Sequence, residues 1–541
     1  MIRPPRRSKH TSVLSPAAAV ALIPDHATVT VSSSSALGCP DAVLKALGEI
    51  HAQTGSPKGL TTVHPIAAGD MYGVKGIDHI AAPSLLKSVI AGSYPSGPSS
   101  MEPPLIWQRI AGNTIEAWNL PSGVLFQQHR AGATGQPAVV TTVGLDTFID
   151  PRREGGALNE GTPRDYVEVV SHQGREYLSF PAIRPDVAII RATTADEHGN
   201  LTYEHEGSPL GALDQAYAAH NNGGLVIAQV KRMVKAGTIP PQHVRVPGIL
   251  VDVVVLAPDQ LQTTRTVYDP ALSGEIFAPD DRIDPLEFGL EKIIARRAAM
   301  ELRPGWIVNL GFGISAGVPR VLHEEGHGDC VTWAIEQGPV GGFPLTGFAF
   351  GCALNADAIM QSADQFTLLQ GGGIDAALLS FLEIDSGGNV NVSYLPSRQH
   401  VTAGVGGFAD IVNGSPRIVF AGYFTAGAKD IGISPAGLEI RQDGTISKLP
   451  ADVARVTFSG KQALAAGKKV VYVTERAVME LRPEGVTVVE IAPGVDLGRD
   501  IIGRAGFPLR VSDELKLMDA ALFDPRPMGL AMSGDDLAGP G

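Results

Sequence analysis

Residues 184 to 201 read RPDVAIIRATTADEHGNL, and residues 373 to 390 read GIDAALLSFLEIDSGGNV. In the first stretch Asp186 stands ten positions before Asp196, with Gly199 and Asn200 three and four later. In the second, Asp375 stands ten before Asp385, with Gly388 and Asn389 again three and four later. A spacing kept this closely marks a repeated structural unit. Each copy holds a short apolar run, 186 to 192 and 375 to 382, bounded by turn residues. A strand buried on both faces of a parallel sheet has that pattern.

The repetition extends on both sides. Residues 25 to 47, DHATVTVSSSSALGCPDAVLKAL, give an alternating strand, a small-residue loop and a G-x-P step (Gly38, Pro40) that opens a helix. Residues 303 to 325, RPGWIVNLGFGISAGVPRVLHEE, repeat that plan with Gly317 and Pro319. GGLVIAQV (223–230) and SPRIVFAGYF (415–424) add one more buried strand to each half. Strands alternating with helical stretches imply an α/β fold. The chain is therefore expected to hold two similar open α/β domains with largely parallel sheets, spanning residues 1–275 and 285–541. The offset between equivalent positions falls from 279 at Gly38/Gly317 to 189 at Asp186/Asp375, so the first half carries extra chain between its signatures. The join is placed near 270 to 290, where Asp284–Pro285 is expected to cap a helix with Leu290, Ile293, Ile294, Ala298 and Leu302 on its apolar face.

At 541 residues the chain exceeds a single core. Its 44% hydrophobic and 18% charged residues are those of a folded enzyme rather than a disordered chain. A formal net charge of −13 argues against nucleic acid as a partner. Cys39, Cys330 and Cys352 are widely spaced, with no CxxC and no HExxH, so neither a structural metal site nor a disulfide framework is expected and a reducing, cytoplasmic setting fits. The uncharged stretch 337 to 356 has the length of a membrane span, but its Gly, Pro, Gln, Thr and Asn make it a poor one. The basic start followed by AAAVAL imitates a signal peptide; Ser15–Pro16 is also a helix cap and first-turn pair, and a short helix in the folded protein is the favoured reading.

The chemistry is sought in VTWAIEQGPVGGFPLTG (331–347). An apolar strand (Val331, Trp333, Ile335) delivers Glu336 into a run of Gly and Pro, and no other charged side chain follows until Asp357. A lone acid at a strand end, against backbone that can approach a ligand closely, suits a nucleophile or base. A solvated loop glutamate beside a turn is the plain alternative. Competing chemistries fit less well. LGFGISAG (310–317) follows a strand, but its glycines do not make G-x-G-x-x-G, and no P-loop is present. His198, His323 and His327 read as surface or cap residues, and Ser32 to Ser35 lack a G-x-S-x-G elbow. TAGVGGFAD (402–410) offers a second glycine loop, in which Gly404, Gly406 and Gly407 can present backbone N–H groups to an acyl oxyanion.

With these residues in place, the sequence resembles the family I CoA-transferases, in particular the fused single-chain acetate/propionate CoA-transferase branch. The resemblance rests on GLDTFIDPRREGG (144–156), IIRATTADEHGN (189–200), HNNGGLVIAQV (220–230), EQGPVGG (336–342), GGGIDAALLSF (371–381), GVGGFADI (404–411), FSGKQAL (458–464), VTERAV (473–478) and IAPGVDL (491–497), in family order. It implies that Glu336 is the nucleophile and that Gly404, Gly406 and Gly407 lie beside a bound CoA thioester. It further implies a CoA transfer from a short-chain acyl-CoA to a carboxylate, two fused α/β halves, a dimeric or tetrameric assembly, and no metal or redox cofactor. Two positions depart from the pattern: Gln337 follows the nucleophile, and in NLPSGVL (119–125) Ser122 stands where the family has glutamine. An acyl-CoA hydrolase, the acyl-carrier-transferring subunit of a malonate decarboxylase and a non-catalytic small-molecule sensor are the other readings; the sensor lacks the basic module it would need.

Overall fold

The repeated aspartates perform the same structural task in each copy. In the computed structural model, which describes residues 10–98 and 100–532, the Asp186 carboxylate accepts the Thr28 N–H at 2.8 Å, and Asp375 accepts the Ile307 N–H at 2.7 Å. Each acid ties the start of its buried strand to the start of the neighbouring one. Ten residues on, Asp196 accepts the N–H groups of His198 and Asn200 and the Asn200 side chain, each at 2.9 Å. Asp385 does the same with Gly387, Asn389 and the Asn389 side chain at 3.0 Å. This is the local chemistry of an Asx turn. Gly199 and Gly388, at φ +82° and +71°, supply its left-handed residue.

Around these turns lie two large sheets. The first runs, in spatial order, Ser12–Leu14, Val253–Leu256, Leu225–Val234, Val187–Asp196, Thr28–Val31, Leu60–His64, Leu86–Ala91 and Glu116–Asn119, every pair parallel. The centre of the second runs Lys469–Val473, Arg417–Ala421, Ala376–Ser380, Ile307–Leu310 and Thr332–Ala334, also parallel. These five strands follow the order of Val253–Leu256 through Leu60–His64 in the first sheet, so the two halves share one α/β plan. The second sheet then diverges. It gains antiparallel strands Ala477–Arg482 and Gly485–Ile491 on one side, with Pro339–Val340 and Ala358–Ile359 on the other. Every residue of Val187–Asp196 is buried, including Arg191, whose guanidinium is neutralised by Glu206 at 2.8 Å. A strand covered on both faces has to read as continuously apolar, and a charge within it has to be paired.

The helices follow the expected starts with one exception. The Ser15 hydroxyl accepts the Ala18 N–H at 3.2 Å and caps Pro16–Val20, which buries Ala19 and Val20. The helix expected from Asp284–Pro285 begins later, as Leu290–Ala299 with Gly289 as its cap. The intervening residues fold back instead. The Lys292 ammonium donates to the Leu286 carbonyl at 2.9 Å, and the Leu286 side chain fills the space beside Gly317, where a Cβ would meet it at 2.9 Å.

The extra chain of the first half explains how the halves join. It contributes two further strands, the helix Ser122–Ala133 and a small antiparallel sheet of Ala138–Thr141, Arg175–Pro181 and Glu168–His172. From this region Phe126 packs against Phe366 with ring centroids 5.8 Å apart, and the Phe148 N–H donates to the Val456 carbonyl at 2.8 Å. Glu154 pairs with buried Arg455 at 2.7 Å, and the Ser459 hydroxyl donates to Asp146 at 2.8 Å. One apolar core therefore runs without a break from Val63 and Phe126 through Phe366 and Phe420 to Phe523. Each such aromatic or aliphatic side chain contributes about 1.5–3 kcal/mol when fully buried. Among the described residues, no helix is long and apolar enough to cross a membrane.

Candidate active site

Glu336 leaves the C-terminal end of strand Thr332–Ala334, between buried Ile335 and buried Gln337, and is itself half-buried. The turn that follows is tight: the Gly338 N–H donates to the Ile335 carbonyl at 2.9 Å. Gly338 sits at φ +136°, and a Cβ there would lie 2.1 Å from the Met360 carbonyl oxygen. No other residue fits that position.

Gln337 is fixed from several directions. Its carbonyl accepts the hydroxyl of Ser362 at 2.9 Å and that of Ser208. Its side chain lies under Gly351, where a Cβ would stand 2.7 Å from Gln337 Cγ. Its amide donates to Glu336 Oε1 at 3.1 Å and to Ser34 Oγ at 3.3 Å. Gln337 thus orients the carboxylate and connects it to the small-residue loop of the other half.

The second oxygen of Glu336 faces Gly407. A Cβ on Gly407 would lie 2.2 Å from Glu336 Oε2, and the Gly407 N–H is directed to the carboxylate. Of the three loop glycines, this is the one brought against the acid. Gly404, at φ +100°, lies against Asn119, which a Cβ would approach to 2.7 Å. Gly406 borders open space, but its N–H is committed to the Gly92 carbonyl at 2.7 Å and its carbonyl accepts the Ser122 N–H at 2.9 Å. The Val405 N–H goes to Asn119 Oδ1 at 2.8 Å, and the Ala403 carbonyl accepts the Tyr94 N–H at 2.7 Å. Main chain of residues 403–406 is therefore laced to the first half, which leaves Gly407 to face the acid. Ser122 reaches the loop through its backbone; its buried hydroxyl has no hydrogen-bond partner.

Burial pushes the Glu336 carboxyl up to about 7, against the pull of the Gly407 N–H and the Gln337 amide. A second acid lies behind the loop. Asp410 is wholly buried, and burial, with a smaller contribution from Glu336, pushes it to about 7 against the hydrogen bonds that hold it down. Its oxygens accept the Gly123 N–H at 2.9 Å and the Gln370 amide at 2.6 Å.

Sequence reasoning alone missed Ser34, Asn119, Gln370 and Asp410. Asp410 had a visible signal, as the one charge in GVGGFADI; Asn119 and Ser34, in stretches noticed for other reasons, had none. Of the candidate histidines, His327 is engaged by the Leu530 carbonyl at 2.7 Å. A carboxylate oriented by an amide on one oxygen and facing the Gly407 backbone with the other, partly open and raised in basicity, can attack a carbonyl carbon. The Gly407 N–H can then receive negative charge developing on oxygen.

The model of the coenzyme A transferase family matches residues 13–257. The chain is 41% identical over 538 residues to the acetate CoA-transferase YdiF of Escherichia coli K12, covering 98% of both chains. It is 39% identical over 517 residues to the caffeate CoA-transferase of Acetobacterium woodii, covering 95% of this chain and 97% of that one. Its structure superposes, with a TM-score of 0.90 and 40% identity over 98% of this chain and 99% of the other, on acyl-CoA transferase YdiF from E. coli O157:H7 in a thioester complex with CoA.

Proposed function

Since the chain belongs to the coenzyme A transferase family and is a CoA-transferase, we propose that it moves CoA from a short-chain acyl-CoA, such as acetyl-CoA or propionyl-CoA, to an acceptor carboxylate by a ping-pong route through Glu336. A Glu336 oxygen attacks the thioester carbonyl, the C–S bond breaks, and a mixed anhydride and CoA thiolate result. The thiolate attacks the Glu336 carbonyl, the anhydride C–O bond breaks, and the first carboxylate leaves a glutamyl-CoA thioester. The acceptor carboxylate runs both steps in reverse, so no proton or electron is consumed overall. The Gly407 N–H is the donor for the oxyanion of each step, worth about 3–4 kcal/mol where such a donor is preorganised. Gly404 and Gly406 border the thioester arm of CoA. Metal and redox cofactors have no part in the scheme, and the enzyme acts as a homo-oligomer in the cytoplasm.

The observation that carries this reading is the contact of the Glu336 carboxylate with Gly407, with the other oxygen held by Gln337. The test is to mix the enzyme with acetyl-CoA and seek, by intact-mass and peptide analysis, CoA attached with loss of acetate at Glu336. An unmodified Glu336 peptide, or a fully active Glu336→Gln variant, defeats the scheme. CoA release at full rate without any acceptor carboxylate identifies a hydrolase instead.

A further inference from the structure

We propose that Ser34 is a further catalytic residue: its hydroxyl is a hydrogen-bond donor from the first half to the substrate's own acyl oxygen, in addition to the Gly407 N–H. This rests on Glu336 being the nucleophile.

The direction of the Ser34 proton follows from its neighbours. The Gln337 amide nitrogen stands 3.1 Å from Glu336 Oε1 and 3.3 Å from Ser34 Oγ. An ionised carboxylate accepts and cannot donate, so the NH2 end of that amide has to be the end that faces it. The same NH2 group then donates to Ser34, and Ser34 Oγ is the acceptor in that bond. Its own proton therefore points elsewhere, and it meets no acceptor among the described residues.

The loop holds Ser34 in place. It follows strand Thr28–Val31 by three residues, at the carboxyl edge of a parallel sheet, where open α/β folds place their ligands. The Ser34 N–H and carbonyl both pair with Leu37, at 2.8 and 2.9 Å. The Ser33 hydroxyl goes to the Ala67 carbonyl at 3.0 Å, and the Ser35 N–H goes to the same oxygen at 2.7 Å. Other polar side chains of the first half near the loop are engaged differently. The Asn119 amide donates to the Ala91 and Gly92 carbonyls, and the Ser122 hydroxyl is buried against Gly92.

Two acceptors on one NH2 group stand roughly 5–6 Å apart. A gap of that size between Ser34 Oγ and Glu336 Oε1 admits one carbonyl group, with its carbon in reach of the carboxylate and its oxygen in reach of the hydroxyl. The two kinds of step then make different demands. When thiolate attacks the Glu336 carbonyl, negative charge gathers on an oxygen of Glu336 itself, and Gly407 and Gln337 already face those oxygens. When Glu336 attacks an acyl-CoA, the charge gathers on the substrate's oxygen, and a further donor beside it lowers the barrier. The Ser34 hydroxyl supplies that hydrogen bond; no covalent bond to Ser34 forms or breaks.

The experiment compares full-length wild type with Ser34→Ala in single-turnover CoA loading from acetyl-CoA, in the pH midpoint of loading, and in cleavage of the loaded thioester by hydroxylamine. Hydroxylamine attacks the Glu336 carbonyl, so its oxyanion does not fall to Ser34. Ser34→Ala is expected to slow loading about 100-fold, the scale of one lost oxyanion donor, with the midpoint and the hydroxylamine rate unchanged. Loading at the wild-type rate overturns the proposal. So does slow loading joined to a raised midpoint and an equally slowed hydroxylamine reaction. The Gln337 amide holds the Glu336 carboxyl down, and that result would mean that Ser34 acts only through Gln337. A wild-type enzyme that never carries CoA at Glu336 removes the nucleophile itself, so the two failures are distinct.

Discussion

Asn119 of the first half accepts the Val405 N–H of the second at 2.8 Å, while its own amide nitrogen donates to the Gly92 carbonyl at 2.6 Å and the Ala91 carbonyl at 3.1 Å. One buried side chain thereby fixes the loop that faces the acid.

Asn119→Ala leaves the buried Val405 N–H without its partner, at about 1–3 kcal/mol, while the Gly92 and Ala91 carbonyls keep their bonds from the Gly406 and Leu120 N–H groups. The expected result is a lowered melting temperature together with CoA loading slowed at least tenfold, because the loop drifts from its place against Glu336. Asn119→Asp should also fail, since its acid cannot donate to Ala91 and Gly92. Thermal denaturation and single-turnover rates on the same preparations check both.

Gly407→Ala and Gly406→Ala form a discriminating pair. A methyl at 407 would lie 2.2 Å from Glu336 Oε2 and 2.8 Å from Phe366, so the carboxylate must move. A displacement of about 1 Å costs on the order of 100-fold in rate. A methyl at 406 meets nothing within 4 Å, although φ +51° strains any residue but glycine slightly. Loading rates should therefore fall much further at 407 than at 406. Equal losses would show that contact with the acid is not the reason for glycine there.

The raised Glu336 carboxyl ties activity and stability to pH in opposite senses. In the proposed scheme the anion is the attacking form, so loading should rise through pH 7 and level off above it. Folding lifts this group from 4.5 to about 7, so the folded state holds its proton more tightly than the unfolded state. That contribution to stability is complete below about pH 4.5 and is lost as pH rises through 7. Glu336→Gln should accordingly be more stable than wild type at pH 8, by up to about 3 kcal/mol for a shift of this size, and the gap should close near pH 5. Urea unfolding at the two pH values measures it.

Arg476 is expected to be structural. It is wholly buried, with a two-pronged contact to Asp443 at 2.8 and 2.9 Å and a bond to Glu475 at 2.8 Å. Burial alone would lift Asp443, but the Arg476 fork and the Thr425 hydroxyl hold it down at about 2. Arg476→Met leaves Glu475 buried without its cation and Asp443 with only Arg504 at 3.3 Å, and should cost about 3–5 kcal/mol. The folded fraction should still load CoA at the normal rate, as active-site titration of the soluble protein would show.

These results indicate which features were legible in the chain. The Asp186/Asp196 and Asp375/Asp385 spacing was readable because each acid makes its bonds to backbone only a few residues away or to the adjacent strand, so the pattern survives in one dimension. The place of Glu336 at the end of a buried strand was readable because a lone charge after such a strand is conspicuous. The start of Leu290–Ala299 was misplaced because Leu286 leaves the helix to pack on Gly317, a contact between distant residues that local capping rules do not contain. The same reason hid Asn119, Ser34 and Gln370: each acts across the join between halves, at separations of more than two hundred residues for Asn119–Val405 and Ser34–Gln337. The Gly406 N–H looked free for an oxyanion in the sequence because its partner, the Gly92 carbonyl, belongs to that distant region.

The lacing of residues 403–406 to Gly92, Tyr94, Asn119 and Ser122 has a genetic corollary. The half that carries Glu336 cannot shape its surroundings unaided, so severing the chain between residues 257 and 289 should give two inert fragments that regain turnover when co-expressed. In a mixed oligomer, a lesion at Asn119 in one copy and at Glu336 in another should fail to complement each other, because each competent centre draws both of its parts from a single chain.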